Sequence, residues 1–337
     1  MGDWFPNAKV YCDGFHYIAI PYEPNPNAKH RRPEVEEIVE VDDHTATDVQ
    51  VEEEPTETCA DQAPAEDTTS TESQSTKRRT TKKAEFERLY RESFSMTPKK
   101  RRKYVLEEMK KLFPNNKRIG DFVHECFEAK ERSLLAKRQR FMRKAHLNKF
   151  NYFVTFTYDD AKMDEATFKV KIIRCLQNYH CNRGWTYMGV WERGGDTDRL
   201  HFHCLVYIPD GQMPGEVIET EEYNYKTKRR IRYHHNTFFD KKFGRNEFDY
   251  LAPKGPQYLG TTLDYILKYI EKTGEKIIYS RGLPMYVMSD IEDKDVITRT
   301  GMEEKKLVLF DDFGCWDEGV YVGVNSEETR AQLRKSN

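Results

Sequence analysis

His201-Phe202-His203 lies inside an apolar stretch. On a β-strand, residues two apart point to the same side, so both imidazoles would share one face and Phe202 the other. Two neutral imidazoles side by side make half of a site for a first-row divalent metal. A third ligand is at hand: Glu192 closes the preceding stretch, and Gly194-Gly195 supplies a turn that returns the chain beside His201. Two histidines and a carboxylate with open positions suit a metal acting as a Lewis acid on a phosphoryl oxygen. A half-buried surface pair of histidines is the ordinary alternative.

The segment Tyr265-Ile266-Leu267-Lys268-Tyr269-Ile270-Glu271-Lys272 repeats tyrosine and lysine at a spacing of four. On a helix this stacks Tyr265 by Tyr269 and Lys268 by Lys272, and Leu263, Ile266 and Ile270 form the stripe to bury. A phenol is a weak nucleophile until a base, a cation or a metal assists it. A mixed amphipathic helix with packed tyrosines and solvated lysines fits the same pattern.

These groups need elements to hold them. Tyr152 to Tyr158 is β-branched and aromatic throughout, which predicts a buried strand. Residues 164–181 read as a helix with Phe168, Ile172, Leu176 and Tyr179 on one face, ended by Gly184. Tyr187–Trp191 and His201–Ile208 read as strands, with two short ones around Ile231 and Phe248 and another at Ile277-Ile278-Tyr279. Thr261 to Lys272 is predicted as the tyrosine helix, with Thr261 and Asp264 as a capping box and Gly274 as the C-cap. Upstream, residues 84–113 and 119–148 read as helices, with Pro98 at a boundary. The second has a strongly basic face, solvated or laid along DNA; Lys137, Arg138, Arg140, Arg143 and Lys144 are its candidate DNA contacts.

The net charge of −2 over 337 residues hides strong segregation. Residues 34–72 are acidic and contain no Lys or Arg; such a stretch cannot bury enough apolar surface to offset its chain entropy. Basic clusters dominate from Lys77 to Lys149, so the overall pI of 6.6 hides a surface suited to a phosphate backbone. Mean hydropathy is −0.87, and no run approaches the roughly 20 apolar residues of a membrane span. The first residues do not read as a secretory signal. The seven cysteines form no CxxC pair, which argues against a thiolate zinc site or a disulfide framework. No Gly-rich loop with Lys-Ser/Thr is present, which argues against a fused helicase domain, and no nucleotide cofactor is expected.

In order along the chain, Phe153-Val154-Thr155-Phe156-Thr157-Tyr158, His201-Phe202-His203 and the tyrosine segment 265–272 resemble the three motifs of the HUH endonuclease superfamily. The set is most similar to the microvirus-type Rep proteins, replication initiators of single-stranded DNA phages. The resemblance covers about residues 150–285. It implies an α+β fold: an antiparallel sheet with packed helices, an RRM/ferredoxin-like core and the histidines on a central strand. It implies Mg²⁺ or Mn²⁺ held by Glu192, His201 and His203, with Tyr269 as first nucleophile and Tyr265 as second. Lys272 and Lys268 would contact the scissile phosphate or temper the charge on the leaving group. The activity implied is nicking of single-stranded origin DNA with a 5′-phosphotyrosine link. Host polymerase and helicase would be partners, in a bacterial cytoplasm.

The organisation expected is a leader over 1–33, a disordered acidic linker over 34–76 and a basic helical region over 77–149. An endonuclease domain over 150–290 and an acidic extension over 291–337 follow; periodicity leaves the leader and the extension unplaced. The competing functions are a non-catalytic single-stranded DNA-binding module, and a transposase or relaxase of the same superfamily. Pro98-Lys99-Lys100-Arg101-Arg102-Lys103 also resembles a nuclear import signal, the mark of a viral Rep working in a host nucleus.

Overall fold

Strict alternation along Tyr152–Thr157 puts Val154 and Phe156 on one side and Phe153, Thr155 and Thr157 on the other. Both sides are used. In the computed structural model, residues 4–14, 16–22, 38–41, 78–194, 198–224, 228–251, 256–272, 276–300 and 306–336 are described. The chain divides into two units, one of Met1–Pro26 with Ser133–Asn337 and the other of Asn27–Arg132.

The first unit holds a five-stranded antiparallel sheet in the order Asn246–Tyr250, Tyr152–Thr157, Leu200–Tyr207, Thr186–Arg193, Ile278–Tyr279. The histidine strand is central, as the resemblance implies. On one face, Val154, Phe156, Trp191, Phe202, Cys204 and Val206 pack against Phe168, Ile172 and Leu176 of the helix Glu165–Arg183. Asp164 caps that helix by accepting from the Thr167 amide at 2.7 Å, and Gly184 ends it in the left-handed region at φ 68°.

The opposite face carries Met188, Val190 and Leu205. The helix Pro256–Lys272 covers it through Leu263, Ile266 and Ile270, the stripe expected from the sequence, joined by Phe141 and Ala145 of the helix Ile119–Leu147. The tyrosine helix begins at Pro256, five residues before the expected capping box. Pro256 presets the first helical φ and needs no partner for a missing N–H, so Thr261 is interior rather than a cap. Gly274 lies outside the described residues.

A second sheet of eight strands takes in both segments that periodicity left unplaced. Its order is Val296–Thr300, Lys306–Leu309, Tyr17–Ile20, Trp4–Cys12, Tyr286–Glu292, Gly314–Asp317, Val320–Val324, with Lys335–Ser336 also paired to Tyr286–Glu292. Val10, Ala19, Val287, Ile291, Leu307, Leu309 and Phe313 form its core. The expected domain boundary at 290 therefore falls inside a strand. A hairpin of Val217–Asn224 and Arg229–Asn236 forms its own two-stranded sheet against Asn246–Tyr250, tied there by the Asn236 amide donating to Asn246 Oδ1 at 2.7 Å, with His234 exposed and His235 half-buried on it.

In the second unit the helices Lys82–Glu92 and Pro98–Leu112 pack with the first turns of Ile119–Leu147 around Phe86, Leu89, Val105, Met109, Val123 and Phe127. Pro98 opens its helix, and the Arg101 guanidinium fastens the preceding turn by donating to the carbonyls of Ser93 and Phe94. Ile38–Val41 pairs with Arg78–Thr81. Those four residues fall within the expected acidic linker, whose remainder lies outside the described residues. The basic region expected over 77–149 is split at Arg132.

Candidate active site

Register fixes the site. Thr157, His201 and Glu192 are direct neighbours across three strands, and Thr155, His203 and Val190 form the adjacent row. All share the face covered by the tyrosine helix. Gly189, across from Cys204, allows the close strand approach: an added Cβ would meet Phe202 Cζ at 2.5 Å and the His203 carbonyl oxygen at 2.7 Å.

Each histidine is held from behind. Thr155 Oγ1 is 2.9 Å from His203 Nδ1 and Thr157 Oγ1 is 2.7 Å from His201 Nδ1. The other ring nitrogen of His203, Nε2, hydrogen-bonds Glu192 Oε2. Phe153 stacks beside the His203 ring at 5.9 Å between centroids, 16° from parallel. Burial pushes the His201 imidazole toward its neutral form, and His203 beside it adds to the effect. Burial acts to raise the Glu192 carboxyl, but His203, the Tyr269 hydroxyl and His201 together outweigh it and hold the group below its ordinary range.

Both expected tyrosines converge on this carboxylate. The Tyr265 hydroxyl donates toward Glu192 Oε2 at 3.4 Å. The Tyr269 ring stacks on His203 at 5.7 Å and 18°, and the two phenol rings meet edge to face at 4.9 Å. Burial raises both phenols above their ordinary value. For Tyr269, hydrogen bonds with Tyr265 and Glu192 raise it further. Tyr269 therefore keeps its proton near neutral pH unless positive charge is brought beside it. Lys268 is exposed on the same helix face; the Lys272 side chain lies outside the described residues.

Among the described residues no group of three His, Cys, Asp or Glu side chains stands as a ready metal cage. The donor chemistry nonetheless fits a divalent cation. When the threonine hydroxyls accept from the Nδ1 protons, each neutral ring turns a bare Nε2 lone pair outward. At His203 the same nitrogen hydrogen-bonds Glu192 Oε2, so a cation bound there would take the place of the proton that bridges the pair. Outer partners that fix the tautomer are what metal-binding histidines use. Glu192, His201 and His203 are the residues that would hold the ion.

A family model described as replication-associated protein ORF2/G2P matches residues 151–274. The match opens at the threonine strand, spans the glutamate and histidine strands and closes just past the tyrosine helix. Residues 151–274 form an ORF2/G2P replication-associated domain. No curated protein and no solved structure matches the chain.

The ORF2/G2P domain thus contains every expected catalytic and metal residue, while the five expected DNA contacts precede it. Those five divide. Lys137 and Arg140 are exposed and Arg138 is half-buried. Arg143 and Lys144 are buried and serve packing instead of an open phosphate-facing surface. Arg143 pairs with Asp13 at 3.0 Å and lies over the Tyr11 ring; the Lys144 ammonium donates to the Leu283 carbonyl. Burial, reinforced by Arg140, pushes Lys144 down to about 8. Thr155 and Thr157 escaped the sequence reading as functional groups. Their signal was present in the alternation itself, which puts two hydroxyls on the histidine face. No helix among the described residues is long and apolar enough to cross a membrane.

Proposed function

We propose that the protein initiates rolling-circle DNA replication by metal-dependent nicking of single-stranded origin DNA, becoming joined to the cut strand through Tyr269. The observation that carries the reading is the convergence of two tyrosines and His203 on Glu192, with His201 its cross-strand neighbour, inside a domain of the ORF2/G2P replication family.

Glu192, His201 and His203 would bind Mg²⁺ or Mn²⁺, as replication proteins of this kind commonly require. Such an ion, when bound, polarises a phosphoryl oxygen and favours phenolate by charge. Thr155 and Thr157 keep the imidazoles in the ligating tautomer. Stacking on His203 orients the Tyr269 ring toward the scissile phosphate. Its oxygen bonds to phosphorus as the bond from phosphorus to the 3′-oxygen breaks; the phenolic proton leaves and the departing oxygen ends as a hydroxyl. The protein retains a 5′-phosphotyrosine. A host polymerase extends the free 3′-hydroxyl behind a host helicase, and attack by a later 3′-hydroxyl rejoins the strand and releases the tyrosine. Tyr265, on the same carboxylate, is the second nucleophile, and Lys268 and Lys272 contact phosphate oxygens. The setting is the cytoplasm of a bacterial host.

The test uses single-stranded oligonucleotides tiling the cognate genome, with Mn²⁺ or with EDTA, resolved on denaturing gels. A metal-dependent protein–DNA adduct is expected, and Tyr269→Phe abolishes it. Strong binding with no adduct under any metal across the complete origin overturns nicking and leaves a DNA-binding module.

A further inference from the structure

We propose that the sheet face away from the histidines carries a second contact for single-stranded DNA, a cleft between the helix Glu165–Arg183 and the sheet's short edge. The inference rests on the proposed function for the identity of the strand, though not for the cleft's affinity.

The cleft has a volume of about 530 Å³. Ile173, Trp191 and Ile278 give it an apolar floor, and Lys169, Arg174 and Lys276 supply cations; among the described residues no carboxylate lines it. The Lys169 ammonium sits 5.9 Å from the Trp191 ring centroid. Glu165, the acid nearest along the helix, is engaged by the Arg193 guanidinium through two bonds of 3.0 and 2.6 Å and lies 3.7 Å from the Lys169 ammonium, so Arg174 and Lys276 are the cations on which phosphate contact chiefly rests.

An apolar floor flanked by cations matches the alternation of base and phosphate along a single strand. Bases rest on the floor and phosphates meet the cations, with little dependence on sequence. A small free anion would leave the floor exposed to water. The helix presents Lys169 and Ile173 on the flank of its buried stripe of Phe168, Ile172 and Leu176, at the margin of the sheet, with Arg174 and Gln177 further round toward solvent.

Position links the cleft to the nick. Trp191 immediately precedes Glu192, and alternation sends their side chains to opposite faces of one strand end. Only the two-residue strand Ile278–Tyr279 separates that strand from the sheet's margin, with Ile278 paired to Gly189. Lys276, two residues before Ile278 in an antiparallel pair, lies toward the Glu192 end. A strand bound at Glu192 needs to pass one short edge to enter the cleft.

The experiment measures affinity of the full chain for fluorescent dT30 across a salt series, for wild type, Arg174→Glu/Lys276→Glu and the milder Arg174→Gln/Lys276→Gln. Both positions are exposed. The charge-reversed pair is expected to bind several-fold more weakly. Its log-affinity against log-salt slope falls by about 1.4, at roughly 0.7 per lost phosphate contact on single strands; the neutral pair falls between. Affinity and slope unchanged in both variants overturn the cleft, whatever the adduct assay gives. Loss of affinity in a protein that forms no adduct with any metal sustains the cleft and sinks nicking instead.

Discussion

The Thr155 hydroxyl meets His203 at Nδ1, 2.9 Å away, while the other ring nitrogen meets Glu192. The same ring is thus held at both nitrogens, from behind by the threonine and in front by the carboxylate.

Thr155→Val keeps the shape and removes the hydroxyl. The apparent Mn²⁺ affinity, read from the metal dependence of adduct formation, is expected to fall by about 10–100-fold. Thr155→Ser restores most of it. A purely structural role would lower thermal stability and leave the metal midpoint in place.

Tyr269→Phe is expected to remove the first adduct entirely. Tyr265→Phe keeps the first adduct and loses transfer to a second origin strand, because only one phenol then reaches Glu192. Quantifying adduct and rejoined circle on the same gel separates the two. Loss of the first adduct in Tyr265→Phe alone would exchange the roles.

Gly189→Ala forces a methyl against the His203 carbonyl and the Phe202 ring. Backbone cannot swing aside as a flexible side chain can. A loss of about 1–3 kcal/mol in unfolding free energy is expected, the range for overpacking. Denaturant titration measures it.

Arg143→Gln and Lys137→Gln/Arg140→Gln should separate packing from DNA contact. The first breaks a pair with Asp13 and costs about 1–3 kcal/mol of stability. The second, on exposed positions, changes stability by at most about 0.5 kcal/mol but weakens salt-sensitive DNA binding. Equal effects on DNA binding with no stability difference would contradict this division.

Lys144 makes stability depend on pH on the alkaline side. Its folded value of about 8 is below its ordinary value, so between the two the unfolded chain binds more protons. Stability therefore rises with pH above about 8, by at most about 1.4 kcal/mol per unit, and this contribution is flat below. Melting temperatures from pH 7 to 9 check it: Lys144→Met should flatten the rise.

The sheet and helix around the histidines were legible because their signals are local. Alternation fixed which face His201 and His203 share, and four-residue spacing fixed Tyr265 and Tyr269. The turn after Arg193 made Glu192 a neighbour of His201. Two kinds of information were not local. Arg143 and Lys144 look like their exposed neighbours in sequence; only the arrival of Asp13 and Leu283 from distant segments buries them. Likewise, Trp4–Cys12 finds its partner at Tyr286–Glu292, and no periodicity in either announces the other. The start of the tyrosine helix was misplaced because a capping pattern at Thr261 outweighed Pro256, five residues upstream.

That last pairing also bears on the order of events during synthesis. The strands Trp4–Cys12 and Tyr17–Ile20 leave the ribosome early, and Tyr286–Glu292 and Lys306–Leu309 leave late. At about 5–20 residues per second, the interval is on the order of tens of seconds. The five strands around the histidines are all made by Tyr279 and can assemble within that interval. The early strands meanwhile carry unpaired edges in a crowded cell. A chain interrupted between Tyr279 and Tyr286 would release the histidine sheet complete but its flanking sheet without partners, and the sticky edges of that second sheet would set its fate.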